Sequence, residues 1–486
     1  MDLRINREDS LTESFSHEIE QFGLFTGYVY SINSVIGAGF LGIPWAYENS
    51  GWLFSFAFQI LVSIQSYIQA MQLLESMSRA EILLRIVEEG GTVRQITIKD
   101  LLTQPPEDTL ILPKNMVPII THRVITITDM IKVVIGPKAG MFHLILLFVY
   151  QTGILTAYAS VFSTSFASNI PLGTWGTCDI YNTTEFFTTC RVKYWIYLMI
   201  FALITIYLTV KGIYEQKRMQ QTMSVLRFIV IFTILVTCVY NIFNHSNNEN
   251  DDYNDADLPP LIRPAYIGHA IPIILFASQY HSLVPCISQA VKDKPKNLPR
   301  IQMFTAITCA VFYSLLGIIV SIAINDLPSI ASLTYRNYSA GYSQKNRPAW
   351  TYIIEYLVVI SPALDVISSY PVQALNISGS IINWKYSGVI QEENQKIEYL
   401  CRFLVSFFPI FISFFVYDLG SILDWVGLIG ILVMLIPIPL LHLATKHLVH
   451  GNSSYDALGN RYLNIFMSII SFILLLGVIA LNLMED

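Results

Sequence analysis

Long apolar runs, separated by shorter polar stretches, occupy most of the chain. Each run is about 20 residues or longer, enough for a helix to cross a hydrocarbon core of about 30 Å. The runs are too long for the strands of a membrane barrel and lack their alternation. The pattern therefore predicts an all-α polytopic membrane protein with about 11 transmembrane helices. The predicted helices are Phe25–Glu48, Leu53–Leu74, Gly140–Phe166, Tyr194–Val210, Val225–Phe243, Ile267–Ile287, Ile301–Ile324, Trp350–Ile382, Tyr399–Tyr417, Ser421–Leu443 and Tyr462–Leu483.

The polar segments complete the predicted organisation. Residues 1–24 form a polar tail without an apolar stretch, so no cleavable signal peptide is predicted. Residues 25–483 form one transmembrane domain that contains a long polar loop over residues 75–139. Within this loop, Glu81–Val87 could form a short interfacial helix. The loop is either an ordinary connection or a lid or regulatory insert, and the sequence leaves both open.

Composition narrows the class of protein. Of the 486 residues, 53% are hydrophobic and only 13% are charged. A soluble domain carries about 25% charged residues. The net charge of -6 argues against nucleic acid as a partner. Neither a zinc-ligand spacing nor the G-x-x-x-x-G-K-[ST] pattern of ATP-binding loops occurs. We therefore expect no enzyme, no cofactor and no metal site, apart from a coupling sodium ion.

Basic residues set the predicted orientation. The loop after the sixth predicted helix carries Lys292, Lys294, Lys296 and Arg300 in a short stretch. Cytosolic loops of membrane proteins are enriched in Lys and Arg. We therefore place the N-terminus and the 75–139 loop in the cytosol. The membrane is either the plasma membrane or a vacuolar or lysosomal membrane.

The loops assigned to the outside carry two kinds of modification candidate. Asn182, Asn244 and Asn337 each begin an N-x-[ST] triplet and are candidates for glycosylation. Cys178 and Cys190 share one loop and would form a disulfide in an oxidising compartment. Two free thiols are the alternative.

The most informative stretch lies within the first predicted helix. Asn33, Gly37, Gly39, Gly42 and Pro44 interrupt an apolar run near mid-membrane. Irregular backbone at that depth is tolerated only where it lines a cavity or packs against protein. Unwinding would expose N–H groups that attract a carboxylate and carbonyls that hold a cation. The alternative is close helix packing, since small residues four apart also let helices approach each other.

The same stretch carries a resemblance to a known family. The residues from Asn33 to Ala46 resemble the first-helix signature of the amino acid/auxin permease family, N-x-x-x-G-x-G-[IV]-L-G-[LIA]-P-Y-A. Phe40 stands where the family has a small aliphatic residue, and Trp45 where it has Tyr.

Two further segments are similar to the same family. In the sixth predicted helix, the residues from Pro272 to His281 resemble the pattern P-x-x-x-F-A-[FY]-x-[CS]-H, with departures at Ser278 and Tyr280. In the eighth, residues 369–372 are similar to the element [TS]-[YF]-P-[LM]. The resemblance extends over almost the whole chain after the N-terminal tail.

The resemblance implies a five-plus-five inverted-repeat (LeuT-like) fold with an eleventh helix. Discontinuous helices one and six would face each other at the midplane. Backbone of the first helix would bind the substrate carboxylate, and carbonyls of the sixth would accept hydrogen bonds from the amino group. The candidate substrate-binding residues are Asn33, Gly37, Ala38, Gly39, Gly42, Phe276, Ala277 and Ser278.

Oxygen atoms near the first interruption are candidate ligands for a coupling ion. The hydroxyls of Ser368 and Ser369 could bind a small cation together with carbonyls near Ile36. The alternative is that each serine bonds its own helix. Sodium-coupled members use Thr or Ser at this place in the eighth helix and other members use protons, so both ions remain open.

Two titratable residues are further ion-coupling candidates. Asp365 lies near the middle of the eighth apolar run, where an ionisable group is costly unless it is paired or hydrated. His281, in the sixth, titrates near neutral pH when unperturbed. Both residues also have an ordinary structural reading. Arg227, which lies within an apolar run, is one candidate partner for an acidic residue.

Together these features predict a secondary active transporter of small neutral amino acids, working by alternating access as a sodium- or proton-coupled symporter. Its expected partners are the amino acid and membrane lipid. The alternative is an amino-acid-sensing membrane receptor with little flux, which would signal through the 75–139 loop. An ion channel is a third reading.

Overall fold

The architecture is taken from a computed structural model of the chain. The structure describes residues 22–97, 100, 110–111, 118–120, 125–172, 176, 188–213, 216–245, 259–328, 331–336, 338–340, 342, 346–386, 395–455 and 457–485.

Helices account for nearly all of the described architecture. The helices are α1 (Leu24–Val35), α2 (Ile43–Ser50), α3 (Trp52–Glu88), α4 (Ile127–Val134), α5 (Pro137–Asn169), α6 (Thr189–Lys211), α7 (Lys217–His245), α8 (Ile267–Ser278), α9 (Val284–Ala290), α10 (Lys294–Ala323), α11 (Ala349–Tyr386), α12 (Gln395–Ser413), α13 (Leu419–Gly430), α14 (Pro437–Leu448) and α15 (Arg461–Glu485). Short 3-10 turns cover Ala38–Gly42, Pro264–Tyr266, His281–Leu283 and Ala331–Tyr335, and a π-helical turn covers Ile431–Leu435.

Every one of the eleven predicted spans falls largely on helix. Eight helical stretches among the described residues are long and apolar enough to cross a membrane by length and composition. The first and sixth spans are not among them, because each is broken into shorter pieces. The ninth is not among them either, since α12 carries Lys396, Glu398 and Arg402 within its 19 residues. The predicted count of eleven crossings therefore stays a prediction. The separate interfacial helix at Glu81–Val87 is wrong, because this stretch continues α3 without a break.

The first span breaks where the glycines stand. Helix α1 ends at Val35, the backbone bends at Gly37 (φ -92°, ψ -138°), and a 3-10 turn then leads into α2. Pro44 occupies the first turn of α2, where its missing N–H has no partner to lose and its fixed φ suits a helix.

The sixth span breaks in the same order of elements. Helix α8 contains Pro272 and ends at Ser278, and Gln279 is extended (φ -88°, ψ 102°). The 3-10 turn that starts at His281 then leads into α9, whose first turn contains Pro285. The two breaks thus share one order of elements, namely helix, non-helical backbone, 3-10 turn and a helix with proline in its first turn.

A third break, which no sequence motif indicated, lies in the tenth predicted span. The π-helical turn between α13 and α14 frees carbonyl groups from the regular pattern. Side chains of other helices donate hydrogen bonds to two of these carbonyls. His143 Nε2 donates to the Val433 carbonyl at 3.1 Å, and Gln69 Nε2 donates to the Leu435 carbonyl at 3.0 Å. The turn is therefore held by α5 and α3.

A short parallel ladder joins the long loop to the rest of the molecule. Strand β1 (Leu110–Ile111) pairs with β2 (Val449–His450), which follows α14. Next to it, the buried Arg79 guanidinium donates to the carbonyls of Val449 and Gly451 and bonds Glu75 at 2.6 Å. The predicted loop is thus docked between α3 and the segment after α14.

The surface and the interior show the distribution expected of a protein in lipid. Helix α12 and the turn after it expose a row of aromatic side chains at every fourth position, Phe403, Phe407, Phe411 and Phe415. Many serine, threonine and glutamine side chains are buried between the helices instead. An apolar exterior around a hydrogen-bonded interior is the arrangement that a hydrocarbon solvent favours.

Candidate functional site

The two breaks meet face to face. A Cβ built on Gly39 would stand 2.9 Å from the Ala277 Cα and 3.0 Å from a ring carbon of Phe276. Only glycine allows this approach, since real Cβ atoms do not come so close to a neighbouring backbone. Gly37 packs similarly against the Tyr158 hydroxyl of α5, 2.4 Å from an ideal Cβ. In this conformation the glycines therefore serve close packing, the alternative that the sequence left open.

The first and sixth spans run side by side in opposite directions and are joined at both ends. At one end, the Phe22 N–H donates to the Ala290 carbonyl at 2.7 Å, and the Lys292 N–H donates to the Phe22 carbonyl at 2.9 Å. At the other end, the Arg263 N–H donates to the Ser50 carbonyl at 2.8 Å. These main-chain bonds make the pair of interrupted spans one unit.

A buried ion pair lies beside the first break. The Arg227 guanidinium of α7 makes two hydrogen bonds to the Asp365 carboxylate of α11, through Nη2 and, at 3.1 Å, through Nε. The two side chains are 2% and 8% exposed. A charge buried this deeply persists only when it is paired and hydrogen-bonded, which explains why Asp365 and Arg227 occur together.

The guanidinium also binds the first span directly. Arg227 Nη1 donates to the Asn33 side-chain oxygen at 2.6 Å and to the Ile32 carbonyl at 3.3 Å. The Asn33 amide in turn donates to Gln220 of α7, to its carbonyl at 2.7 Å and to its side chain at 2.8 Å. Asn33, a substrate-binding candidate from sequence, is thus bound into the ion-pair network.

The candidate serines lie in the same network. Ser369 Oγ donates to the Asn33 carbonyl at 3.0 Å, whereas Ser368 Oγ donates to the Asp365 carbonyl of its own helix at 2.9 Å. The Gln220 side chain donates to the Ser368 carbonyl at 2.7 Å. Ile36 caps the C-terminal end of α1, three residues after Asn33, and is buried. The two serines thus bond the main chain of Asn33 and Asp365, the residues whose side chains bind Arg227.

The remaining candidates lie at the two breaks. Ser278 Oγ accepts a hydrogen bond from Gln59 of α3 at 3.0 Å. His281 is fully buried, and neither ring nitrogen has a hydrogen-bond partner among the described residues. Ala38 begins the 3-10 turn of the first break, and Gly42 ends it.

Two cavities flank this region. A cavity of about 10 Å³, room for about one water molecule, is lined by residues that include Phe40, Arg227 and Asp365. A larger, open cavity of about 510 Å³ lies where α2 meets the stretch before α8, and its lining includes Glu48 and Arg263. The small cavity borders the ion pair directly.

Several residues of the network escaped the sequence motifs. Gln220, Gln59 and Tyr158 lie outside the three family-like segments. The only feature that marks them in the sequence is a polar side chain within an apolar helix, the same feature that singled out Arg227. The glutamines were missed because an uncharged polar residue in such a helix is too common to single out.

The modification candidates are partly described. Cys190 is disulfide-bonded, whereas its predicted partner Cys178 lies outside the described residues. Asn182 and Asn337 also lie outside them, and Asn244 falls within α7 rather than in the predicted loop.

Comparison with known proteins identifies one matching family. Its description is "Transmembrane amino acid transporter protein", and its pattern matches residues 20–85 and 109–483. Residues 86–108, which follow most of α3, fall between the two matched stretches.

Individual relatives are more distant. The Transmembrane protein 104 homolog of Caenorhabditis elegans is 19% identical over 385 residues, which cover 77% of this chain and 70% of that protein. The Caenorhabditis briggsae homolog is 20% identical over 361 residues, covering 72% and 66%. Transmembrane protein 104 of Homo sapiens is 23% identical over 325 residues, covering 61% and 63%. The chain thus spans about two thirds of the length of these relatives, from 63% to 70%.

Proposed function

The chain belongs to the transmembrane amino acid transporter family, and from this premise we propose that it carries small neutral amino acids across a membrane as a secondary active transporter. The observation that carries the proposal is the contact between two interrupted spans at Gly39 and Ala277, next to the buried Arg227–Asp365 pair. Unwound backbone at mid-membrane offers donors and acceptors to a zwitterion where no side chain stands in the way. Because the breaks touch in this conformation, substrate entry requires the neighbouring spans to move away from them.

Hydrogen bonds suggest which spans move together. Besides the main-chain bonds that join the first and sixth spans, Gln59 links the second span to Ser278, and the Tyr313 hydroxyl of the seventh donates to the Val35 carbonyl at 3.2 Å. We infer that the first, second, sixth and seventh spans rock as one group against the others. The bonds from Arg227 to the first span lie at the boundary that such rocking would open, as does the contact of Gly37 with Tyr158 of the third span. The contact between Gly39 and Ala277 lies within the moving group.

The ion pair favours protons over sodium as the coupling ion. Sodium would need oxygen ligands of the kind that Asn33 and Ile32 provide, and the Arg227 guanidinium already uses them. Arg227 and Asp365 both lie outside the rocking group, and Arg227 binds Asn33 and Ile32 of the first span across its boundary. A proton on Asp365 would remove the negative charge that holds Arg227 and so change its hold on the first span. Protonation of Asp365 is then the step that couples proton flow to substrate movement.

Transport by the purified full-length chain in proteoliposomes tests the function. With a panel of labelled neutral amino acids, we expect saturable accumulation that requires an imposed proton gradient and is unchanged when choline replaces sodium. Accumulation that needs sodium and ignores the proton gradient would contradict the role of Asp365. Saturable binding without accumulation would instead support the receptor reading, for which the docked 75–139 loop is the motivating feature.

Variants of the ion pair separate coupling from folding. Removing one partner of a buried pair typically destabilises a protein by about 3–5 kcal/mol, whereas neutralising both is often tolerated. We expect Arg227→Gln alone to lower the thermal unfolding midpoint. Adding Asp365→Asn should restore it without restoring proton-driven accumulation.

A second ion pair provides the matched control. Arg402 and Glu398 form a pair within α12 that is 19% and 22% exposed. Arg402→Gln should change stability by no more than about 1 kcal/mol and leave proton-driven accumulation intact. Full proton coupling in the doubly neutral Arg227→Gln, Asp365→Asn variant would rule out Asp365 as the proton carrier.

A further inference from the structure

Gln220 lies where the first, fifth and eighth spans meet. It belongs to α7 and is 0% exposed. Its Nε2 donates to the Ser368 carbonyl of α11 at 2.7 Å, and its Oε1 accepts from Asn33 Nδ2 of α1 at 2.8 Å. Both polar atoms of this side chain are therefore bonded, whereas the buried Gln59 and Gln279 each have a side-chain atom without a partner among the described residues.

The contacts of Asn33 allow its amide only one orientation. Its Nδ2 donates to the main-chain carbonyl of Gln220 at 2.7 Å as well as to the Gln220 side chain. Its Oδ1 accepts from the Arg227 guanidinium at 2.6 Å. A guanidinium only donates and a carbonyl only accepts, so exchanging the amide oxygen and nitrogen would set donor against donor and acceptor against acceptor. Gln220 and Arg227 thus hold the two ends of this amide.

The hydrogen bonds around Gln220 all run in one direction. Arg227 donates to Asn33, Asn33 donates to Gln220, and Gln220 donates to the Ser368 carbonyl. Bonds in such a chain polarise one another, and the positive charge at its start strengthens the first of them. The chain returns to the ion pair, because the Ser368 hydroxyl donates to the Asp365 carbonyl. Gln220 therefore closes a ring that begins and ends at the Arg227–Asp365 pair.

This ring crosses the boundary of the moving group. Asn33 belongs to the first span, which is in that group, whereas α7 and α11 lie outside it. Arg227 can hold the first span through Asn33 only while the amide oxygen faces the guanidinium. The Gln220 side chain supports this orientation from the other end of the amide.

We propose that Gln220 is a positioning residue for proton coupling, which keeps the Asn33 oxygen on the Arg227 guanidinium so that the charge state of Asp365 affects how firmly the first span is held. This assignment rests on the proposed transport function and adds a residue to its coupling network. An apolar side chain at position 220 would leave an amide hydrogen of Asn33 without its acceptor and allow the amide to turn.

Two substitutions of Gln220 test the assignment. In proteoliposomes containing the full chain, Gln220→Leu should lower proton-driven uptake at least about tenfold, the effect of about one unsatisfied buried group. Gln220→Glu can donate to the Ser368 carbonyl only when its carboxyl is protonated, since the ionised form sets oxygen against oxygen. Uptake by Gln220→Glu should therefore rise, relative to the unsubstituted protein, as the pH is lowered under the same imposed gradient. Arg227 and Asp365, the charged groups of the network, are present in every variant, so this ratio corrects for their own titration.

Gln216 provides the matched control. It is a buried glutamine just before α7, and its amide donates to the carbonyls of Leu208 and Gly212, both at 3.0 Å, at the end of α6. Gln216→Leu should leave uptake and its pH dependence close to those of the unsubstituted protein. A loss in Gln220→Leu no larger than in Gln216→Leu, or a ratio for Gln220→Glu that does not change with pH, would overturn the proposal.

The thermal unfolding midpoint gives a readout that needs no transport. In detergent, the midpoint of Gln220→Glu should approach that of the unsubstituted protein as the pH falls, because only the protonated carboxyl restores the bond to Ser368. A midpoint difference that stays constant would contradict the role of Gln220 in holding Asn33. Failure of the unsubstituted protein to accumulate any amino acid would instead refute the transport function, and with it the coupling role, whatever the midpoints show.

Discussion

At position 39 the absence of a side chain decides how closely the two broken spans can approach. The Ala277 Cα stands 2.9 Å from where a Cβ would be, and the Ala277 Cβ stands 3.2 Å away. Both neighbours are rigid, since one is backbone and the other is a side chain with no free rotation. A methyl group at position 39 would therefore force the two spans apart.

We expect Gly39→Ala to reduce uptake by about tenfold or more. Destabilising the conformation in which the two breaks touch by about 1.4 kcal/mol lowers its equilibrium constant tenfold. Uptake should be measured per molecule of inserted protein in proteoliposomes. Gly477→Ala in α15 is the control, because nothing lies within 4 Å of the Cβ it would add. Unaltered uptake by Gly39→Ala, with normal insertion, would show that the close contact is dispensable.

Single residues also show how far sequence reasoning reaches. The glycines and Pro44 indicated a break because their backbone chemistry is local, and a buried charge such as Asp365 indicated a partner because an unpaired one is costly. The partner itself depends on how α7 and α11 pack, so the sequence could only offer Arg227 as a candidate. The binding of Asn33 to Gln220 and Arg227 likewise follows from packing.

At the scale of helices, each predicted apolar run falls largely on helix, but the pattern did not give every helix boundary. The family indicated by the three motifs is confirmed, and the two breaks lie where those motifs placed them. Helix α3 continues to Glu88, far beyond the predicted end at Leu74, because Arg79, Glu75 and His442 form a buried polar cluster there. Apolar periodicity ends at Leu74, and the polar cluster beyond it includes His442, Val449 and Gly451, which are distant in sequence.

The π-helical turn is the element that sequence reasoning missed entirely. Its carbonyls are satisfied by side chains from other helices, so the turn exists only in the packed molecule. His143 Nε2 donates to Val433, and Thr128 donates to His143 Nδ1 at 3.0 Å. The residues around the turn therefore could not predict that a side chain from another helix bonds its carbonyl.

We expect His143→Leu to destabilise the protein by about 1–3 kcal/mol, because it leaves the buried Val433 carbonyl without a donor. The thermal unfolding midpoint of the detergent-solubilised protein measures the effect. The exposed His450 of β2 supplies the control, since His450→Leu removes no buried partner. A midpoint equal to that of the control would mean that water serves the carbonyl equally well.

At the scale of the whole molecule, we proposed that the first, second, sixth and seventh spans move together against the other spans. Helix α1 makes one side-chain contact within the moving group and another across its boundary. Thr305 of α10 donates to Ser31 at 2.9 Å within the moving group, whereas Gln221 of α7 donates to Thr26 at 3.5 Å across the boundary.

Paired cysteines at these contacts should behave differently on oxidation. A disulfide joining Thr26→Cys to Gln221→Cys should stop uptake until a reductant is added, because it fixes the boundary. A disulfide joining Ser31→Cys to Thr305→Cys should leave uptake intact. Uptake per molecule before and after reduction provides the measurement, and the single-cysteine variants account for the native thiols. Equal inhibition by both disulfides would contradict the rocking group.

The turn at Gly90 has a practical consequence for the orientation of the chain. Gly90 has a positive φ of 83°, nothing lies within 4 Å of its missing Cβ, and the residues from Val87 to Thr92 are exposed. An epitope inserted there should disturb neither the ladder nor the helix before it. Antibody staining of intact and permeabilised cells would then report directly which face of the bilayer this tip occupies.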